Sequence, residues 1–404
     1  MASDSKKKFV GLVTGATIYQ IALSVQSSIA SPFFNDRGIS AEEIGLLNSI
    51  NWGIISFASM PSGRLSDIVG RVGPFVLSSI LGSIACILVY FRADFLSALM
   101  LYLLVGLSTA LFTPNASAFI SDIFEAERVT VLFAAFYLLT LAGAAIGSIL
   151  SGVSSQSLGP EYPFLVASAL FVLSAIVYPL LIRREIRRRA QRHDFHTIAS
   201  TFDIRAMIST IRRNPGLRLY GFSLFFHSLG FLMIGPYVSL YCQKVVGLDI
   251  AGVGLVIAAW NFGLAIGSLP WAWASSRRGS GYVLLGHFIL SSLSWLVFTS
   301  ARDMISAVAF GLILGLVGAM DLPARRTITI GFAQNGRLGE TMGFIELVNG
   351  MGGLFGGVIG GILWERLGPA LPFYAAAILT LISVPLALIA MSGKYNRSAR
   401  QVQF

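Results

Sequence analysis

Two of the 19 acidic residues stand inside long apolar stretches of the sequence, Asp321 and Glu346. A charge at the middle of a membrane costs at least ~2.5–3.5 kcal/mol, so a carboxylate in such a stretch indicates a function. Either group could carry a proton or attract a cationic solute. The alternative is a structural ion pair with Arg325 or Arg326, which stand close to Asp321 in the sequence.

Histidines and cysteines are weaker candidates for chemistry. His227 and His287 also fall in apolar stretches, where a single histidine more often forms a helix–helix hydrogen bond than a proton site. Cys86 and Cys242 lie in different stretches, so neither a disulfide framework nor a metal site is predicted. The sequence lacks the motif G-x-x-x-x-G-K-[ST], so ATP does not drive the protein directly, and no cofactor is predicted.

Polar side chains recur at steps of three and four residues in the first apolar stretch, at Thr14, Thr17, Gln20, Ser24, Ser27 and Ser31. This spacing places them on one helix face, which should look into the protein because lipid cannot satisfy polar groups. The face either lines a solute cavity or makes helix–helix hydrogen bonds. Further candidates for the cavity are Asn48, Asn51, Tyr220, Ser223, Tyr237, Trp260, Asn261 and, on the same helix face as Glu346, Asn349.

A short polar segment, "GRLSDIVGR" at 63–71, separates the second and third apolar stretches. Gly63 and Gly70 permit tight turns and close approach of helices. Asp67 could accept hydrogen bonds from the N-terminus of a neighbouring helix, and Arg71 could pair with a carboxylate. The segment is therefore a candidate for contacts between helix ends.

The composition indicates that membrane-spanning helices position these groups. Hydrophobic residues make up 55% and charged residues 12% of the chain, against about 25% charged in a soluble domain. The apolar runs are continuous and about 20 residues long, which excludes the ~10-residue alternating strands of a β-barrel. Twelve spans are predicted, at 9–33, 43–62, 72–91, 95–119, 129–152, 162–182, 219–242, 250–273, 281–300, 304–324, 340–363 and 371–392.

The sequence repeats itself with an offset of 209 residues. "LGPEYPF" at 158–164 returns as "LGPALPF" at 367–373, and the same offset pairs Gly38 with Gly247 and many further glycines. A constant register over half the chain indicates two copies of one unit. We therefore expect an all-α integral membrane protein built from two parallel repeats of six helices.

The net charge of +10 is distributed unevenly along the chain. When loops are assigned alternately to the two sides of the membrane, one side receives the N-terminus, the C-terminus and the arginine-rich segment 183–218. The other side receives only Arg37, Arg92, Lys244, Arg302 and Arg366. This asymmetry argues against nucleic-acid binding and predicts that both termini are cytoplasmic in a multi-pass protein of the cell membrane.

The segment 63–71 resembles the G-x-L-x-D-x-x-G-R signature of the major facilitator superfamily, and the twelve spans and two repeats extend the resemblance over the whole chain. The resemblance implies the fold of that family, with six-helix bundles at 1–182 and 219–404 and a cytoplasmic linker at 183–218. It also implies alternating access, in which the bundles expose a shared cavity to each side in turn.

In that family the signature holds the cytoplasmic ends of the two halves together. By resemblance, Gly63, Asp67, Gly70 and Arg71 form this latch, with Asp122 and Arg128 as partners. Two usually basic positions of the signature are Ile68 and Val72 here, and the second copy has Ser276 in place of the aspartate. The resemblance therefore implies a one-sided latch that is weaker than the family's pattern.

The sequence thus predicts a secondary active transporter rather than an enzyme. The favoured function is proton-coupled export of a small, partly hydrophobic compound by a monomer, with the lipid bilayer as its surroundings. Uptake or facilitated diffusion of a neutral polar solute such as a sugar stays open, since the predicted cavity contains many uncharged polar groups. A lipid flippase or scramblase is the alternative from another class.

Overall fold

The computed structural model describes residues 2–124, 126–182, 211–212, 214–333 and 338–392. Within these ranges only the backbone is described for residues 2–4, 60, 64, 67–69, 126–131 and 338–340. Most of the predicted linker 183–218 therefore lies outside the described residues. The regular structure of the described chain is all helical, as predicted.

Fourteen α-helices follow one another in the described chain. The first seven are α1 (Ala2–Ser27), α2 (Ala30–Asn35), α3 (Ala41–Val69), α4 (Val72–Phe91), α5 (Phe95–Ile123), α6 (Ala126–Leu158) and α7 (Tyr162–Leu181). The second seven are α8 (Pro215–Lys244), α9 (Ile250–Arg278), α10 (Ser280–Phe298), α11 (Met304–Gly318), α12 (Asp321–Phe332), α13 (Leu338–Leu367) and α14 (Leu371–Met391).

Each of the twelve predicted spans falls on a helix or on two consecutive helices. In the part of the chain that is described, 11 stretches are long and apolar enough to cross a membrane. The predicted span 43–62 is the exception: it lies within α3, which is long enough, but Asn48 and Asn51 make this stretch more polar. The first and tenth predicted spans each cover two helices, α1 with α2 and α11 with α12.

The predicted span 304–324 is confirmed as part of one stretch that can cross a membrane, Met304–Phe332, but two helices form this stretch rather than one. α11 ends at Gly318 and α12 begins at Asp321. Pro323 lies in the first turn of α12, where its missing N–H is tolerated. In a continuous helix its ring would clash with the carbonyl group of residue 319. The proline therefore separates the two helices and places Asp321 at the N-terminus of the second.

Backbone packing divides the chain into two compact units. One comprises residues 1–39, 50–201 and 247–262, and the other comprises 40–49, 202–246 and 263–404. In the first unit, α1 packs against α6 and α7, and α4 packs against α5 and α7. In the second, α8 packs against α13 and α14, and α10 packs against α11, α12 and α14. The two sets of packing partners correspond, which confirms the predicted repeat.

Turns and helix caps repeat with the same offset as the sequence. The glycines with positive φ in the described chain form three pairs: Gly38 with Gly247, Gly70 with Gly279, and Gly159 with Gly368. Each lies in a turn whose left-handed backbone favours glycine.

The N-terminal caps of α5 and α11 also correspond. Asp94 accepts a hydrogen bond from the backbone N–H of Ser97, and Asp303 from that of Ser306. These backbone hydrogen bonds lower the pKa of both carboxyl groups, so both caps are ionised at neutral pH. Both are capping boxes, since each serine also accepts a hydrogen bond from the backbone N–H of its aspartate.

Glycines allow the close approach of helices within each unit. A Cβ atom at Gly147 would lie 2.4 Å from the carbonyl oxygen of Ile21 in α1. A Cβ atom at Gly356, the equivalent position in α13, would lie 2.9 Å from that of Leu229 in α8. Only glycine fits these two crossings without a shift of the backbone.

Candidate functional site

Asp321 lies at the N-terminus of α12, where the helix dipole favours a negative charge. Its Oδ2 atom pairs with the guanidinium of Arg325 one turn later, at 3.0 Å. Its Oδ1 atom is buried and has no hydrogen-bond partner among the described residues. The structure therefore contains the ion pair with Arg325 that was the structural alternative for Asp321, while Arg326 is exposed.

His227 of α8 and His287 of α10 meet beside Asp321. Both imidazoles are buried, with 4% and 2% exposure, and their Nε2 atoms are 3.1 Å apart. One ligand-type atom from each histidine and one carboxylate oxygen of Asp321 lie within 4.8 Å of one another. Three helices thus converge on one buried polar cluster in the second unit.

Hydrogen bonds fix the tautomers of the two neutral rings. His287 Nδ1 is 2.9 Å from the carbonyl oxygen of Val317, which can only accept, so the ring proton is assigned to Nδ1. His287 Nε2 is then an acceptor, and His227 donates to it from its own Nε2. His227 Nδ1 in turn accepts from the hydroxyl group of Thr380 at 3.4 Å. The two histidines thus link Val317 to Thr380 by a continuous chain of hydrogen bonds, beside Asp321.

Glu346 stands apart from this cluster on α13. It is exposed and has no hydrogen bond or ion pair with another described residue. It lies about three helical turns from Gly357, on the same face of α13. At Gly357 this face approaches the N-terminal part of α3, where a Cβ atom would lie 2.4 Å from the carbonyl oxygen of Gly45. The exposed apolar residues Met351 and Phe355 lie on the opposite face of the helix.

Many of the predicted cavity residues make hydrogen bonds between helices. In the first unit, Asn261 donates to Ser24 at 3.4 Å and to Ser148 at 3.2 Å, and Asn51 donates to the carbonyl oxygen of Tyr102 at 2.7 Å. Trp260, next to Asn261, is half-buried.

In the second unit, the corresponding donors are tyrosines and serines. Ser223 donates to the carbonyl oxygen of Ser383 at 2.7 Å, and Tyr220 to that of Arg325 at 3.3 Å. Tyr237 donates to the carbonyl oxygens of Ala41 and Gly357, and Asn349 accepts from Ser228. These contacts are the helix-packing alternative considered for the polar residues.

A smaller set of the predicted cavity residues has polar side chains without a hydrogen bond to a described residue. Thr17, Gln20 and Asn48 are half-buried, Ser27 is exposed, and none has a side-chain hydrogen bond to a described residue. Thr17 and Gln20 lie almost one turn apart on α1 and can both contact a solute on that face. These side chains remain the polar candidates for substrate contact.

The segment 63–71 forms the end of α3 and the turn before α4. Arg71 donates from Nε to Asp122 Oδ2 at 3.0 Å, and its terminal nitrogen donates to the Ser66 hydroxyl group. Gly70 has a φ of 92° and lets the chain reverse at this point. Nothing lies within 4 Å of a Cβ atom at Gly63. The side chains of Asp67 and Arg128 lie outside the described residues.

The sequence did not reveal several partners in these networks. Ser148 joins Ser24, Ser28 and Asn261, yet it belongs to no recognisable motif. Thr380 reaches His227 across a sequence separation of 153 residues. The only available signal was the recurrence of hydroxyl groups in apolar helices, which is too common to identify a partner.

Comparison with known proteins agrees with this architecture. The family model described as Major Facilitator Superfamily matches residues 12–251 and 220–403. The uncharacterized MFS-type transporter MJ1560 of Methanocaldococcus jannaschii is 23% identical over 387 residues, covering 95% of this chain and 97% of that protein. The multidrug resistance protein MdtG of Enterobacter lignolyticus is 25% identical, covering 84% of this chain and 80% of that protein.

Solved structures share the fold. A bacterial homologue of the human drug peptide transporters PepT1 and PepT2 superposes with a TM-score of 0.75. It covers 99% of this chain and 100% of that chain at 14% sequence identity. At this identity the likeness concerns the fold alone.

Proposed function

Because the chain belongs to the major facilitator superfamily and is a multi-pass membrane transporter, we propose that it exports small, partly hydrophobic compounds in exchange for protons. Its relatives and the structures that share its fold are transporters, not enzymes. The multidrug resistance protein MdtG, an aligned relative, supports export of this class of compound. The proposed location is the cell membrane, with both termini in the cytoplasm and the monomer as the working unit.

The single observation that carries the coupling proposal is the position of Glu346. It is a carboxylate within a membrane-spanning helix, it is exposed, and no described residue compensates its charge. Asp321, the other predicted carboxylate, is already paired with Arg325. A carboxylate that no fixed partner neutralises can bind either a proton or a cationic solute. Glu346 is therefore the better proton carrier of the two.

The charged groups of the neighbouring helix, α12, leave Glu346 able to bind a proton. α12 packs against α13 and carries Arg325 and Arg326. The guanidinium group of Arg325 is held by Asp321, and Arg326 is exposed. In the proposed cycle Glu346 takes up a proton from the outer side and releases it into the cytoplasm. The ionised form then attracts the next compound for export.

The test is transport in proteoliposomes with and without a pH gradient, using a fluorescent cationic dye as the exported compound. For Glu346→Gln we expect that gradient-driven accumulation of the dye disappears, because glutamine fixes the neutral form. Exchange of labelled for unlabelled dye without a gradient should continue, but at higher dye concentrations, because glutamine lacks the charge that attracts the cation. Glu43→Gln is the matched control, since Glu43 is an exposed glutamate at the N-terminus of α3.

Accumulation at the wild-type level in Glu346→Gln would contradict the assignment of the proton to Glu346. Absence of any gradient-driven transport in the wild-type protein, across a panel of cationic and neutral compounds, would contradict proton-coupled export itself. Gradient-independent uptake of a sugar in the same panel would favour the facilitated-diffusion alternative.

A further inference from the structure

Three side chains that can ligate a metal ion meet in the polar cluster of the second unit. The Nε2 atoms of His227 and His287 point at each other at 3.1 Å, from α8 and α10. A carboxylate oxygen of Asp321, from the start of α12, lies within 4.8 Å of both rings. The proposed export cycle uses none of these three side chains.

We propose that His227, His287 and Asp321 bind a divalent transition-metal ion such as Zn²⁺. Imidazole nitrogen and carboxylate oxygen are common zinc ligands, at about 2.0–2.2 Å from the ion. Two nitrogens bound to one tetrahedral ion are then about 3.3 Å apart, close to the observed 3.1 Å. The Asp321 oxygen lies within 4.8 Å of the two nitrogens and must move closer by up to about 1.5 Å to complete the site.

Contacts with the surroundings hold two of the three ligands in place. His287 donates from Nδ1 to the carbonyl oxygen of Val317 at 2.9 Å, the type of contact that fixes the ring of a metal-binding histidine. Asp321 is held through Oδ2 by Arg325, while its buried Oδ1 has no partner among the described residues. A bound cation would satisfy this oxygen.

Binding requires a change of tautomer in one ring. His227 holds its proton on Nε2 in the hydrogen-bonded pair, and this is the atom that must face the metal. The proton moves to Nδ1, and the hydroxyl group of Thr380 turns from donor to acceptor, which a threonine permits. Both imidazoles stay neutral, and no proton is gained or lost.

A bound ion would change the net charge of the site and link three helices. The ion brings two positive charges beside the single negative charge of Asp321, and Arg325 lies on the far side of that carboxylate. Three protein ligands leave a fourth position for water, as in an open zinc site. The ion would tie α8, α10 and α12 together at the break between α11 and α12. This inference is independent of the proposed substrate and of proton coupling.

The test is metal binding by the purified full-length protein, stripped with a chelator and titrated with Zn²⁺ by calorimetry. We expect one equivalent to bind, and each of His227→Ala, His287→Ala and Asp321→Asn to lower the affinity on the order of 10–100-fold or more. Co²⁺ should give the intense visible absorption of a tetrahedral site in the wild-type protein and lose it in the three variants.

The matched control is the double variant His193→Ala and His196→Ala, which removes the other two histidines of the chain. This variant should bind Zn²⁺ as the wild-type protein does. Loss of binding in it, or wild-type affinity in the three ligand variants, would overturn the proposal.

A second measurement distinguishes loss of the metal site from misfolding of a variant. Zn²⁺ should raise the thermal unfolding midpoint of the wild-type protein and of the control, because the ion binds the folded state. It should not raise that of His287→Gln, which keeps a hydrogen-bonding side chain. An equal rise in His287→Gln would likewise overturn the proposal.

Discussion

Arg71 and Asp122 join the turn after α3 to the last turn of α5. Asp122 is 45% exposed, and an ion pair of this exposure contributes only about 0–1 kcal/mol to stability. Its proposed role as part of a latch therefore concerns the balance between conformations rather than folding. A small energy suffices for that role, since a shift of 1.4 kcal/mol changes a population ratio about tenfold.

We predict that Arg71→Asp slows transport several-fold with little change in the thermal unfolding midpoint. Adding Asp122→Arg to this variant restores the pair with reversed charges and should recover part of the rate. The measurement is dye transport in proteoliposomes at saturating substrate. Arg92→Gln is the control, because Arg92 forms an exposed ion pair with Asp94 at another turn. If the double reversal is as slow as Arg71→Asp, the pair has no role in the cycle.

At the same scale, the sequence identified the two intramembrane carboxylates but could not distinguish their environments. Asp321 and Arg325 are four residues apart, so an ion pair was foreseeable once α12 was placed. The convergence of His227 and His287 on Asp321 was not foreseeable, because it depends on how α8, α10 and α12 pack.

The glycines of α13 show how one helix can contain both close contacts and open positions. A Cβ atom at Gly356 would lie 2.9 Å from the backbone of α8, whereas nothing lies within 4 Å of one at Gly343. Backbone atoms cannot move aside as a flexible side chain can. The two glycines therefore differ in how an added methyl group would change the free energy of unfolding.

We predict opposite effects of alanine at these positions. Gly356→Ala should lower the free energy of unfolding by about 1–3 kcal/mol, since the methyl group overpacks the crossing with α8. Gly343→Ala should raise it by up to about 0.5–1 kcal/mol, because alanine favours the helix and meets no neighbour. Thermal and denaturant unfolding in detergent measure both. Equal destabilisation by the two substitutions would show that helix packing is not what distinguishes them.

Helix boundaries were predictable where hydropathy and turn residues agree. The spans 72–91 and 162–182 match α4 and α7 to within a residue, since polar or glycine-containing turns flank both. The break between α11 and α12 was missed, because Ala319 and Met320 are as apolar as their neighbours. Pro323 was the available signal, and its effect three residues upstream depends on the helix geometry rather than on polarity.

The repeat is the property of the whole molecule that the sequence predicted best. Caps, positive-φ glycines and packing partners all recur at the offset of 209 residues seen in the sequence. The polar contacts do not follow the repeat in the same way. Ser24, Ser148 and Asn261 form a network in the first unit, whereas the second unit has the histidine cluster. Duplication explains the scaffold, and divergence of single residues explains the sites.

Orientation in the membrane is the remaining property at this scale, and the arginine-rich segment 183–218 predicts it. We expect Ser200→Cys to react with a membrane-impermeant maleimide only after permeabilisation. Ser300→Cys, in the exposed turn after α10, should react in intact cells. Both substitutions belong in a background without Cys86 and Cys242, which are buried. Labelling of Ser200→Cys in intact cells would contradict the predicted orientation. It would mean that a segment with ten arginines had crossed the membrane, although basic segments are normally retained on the cytoplasmic side.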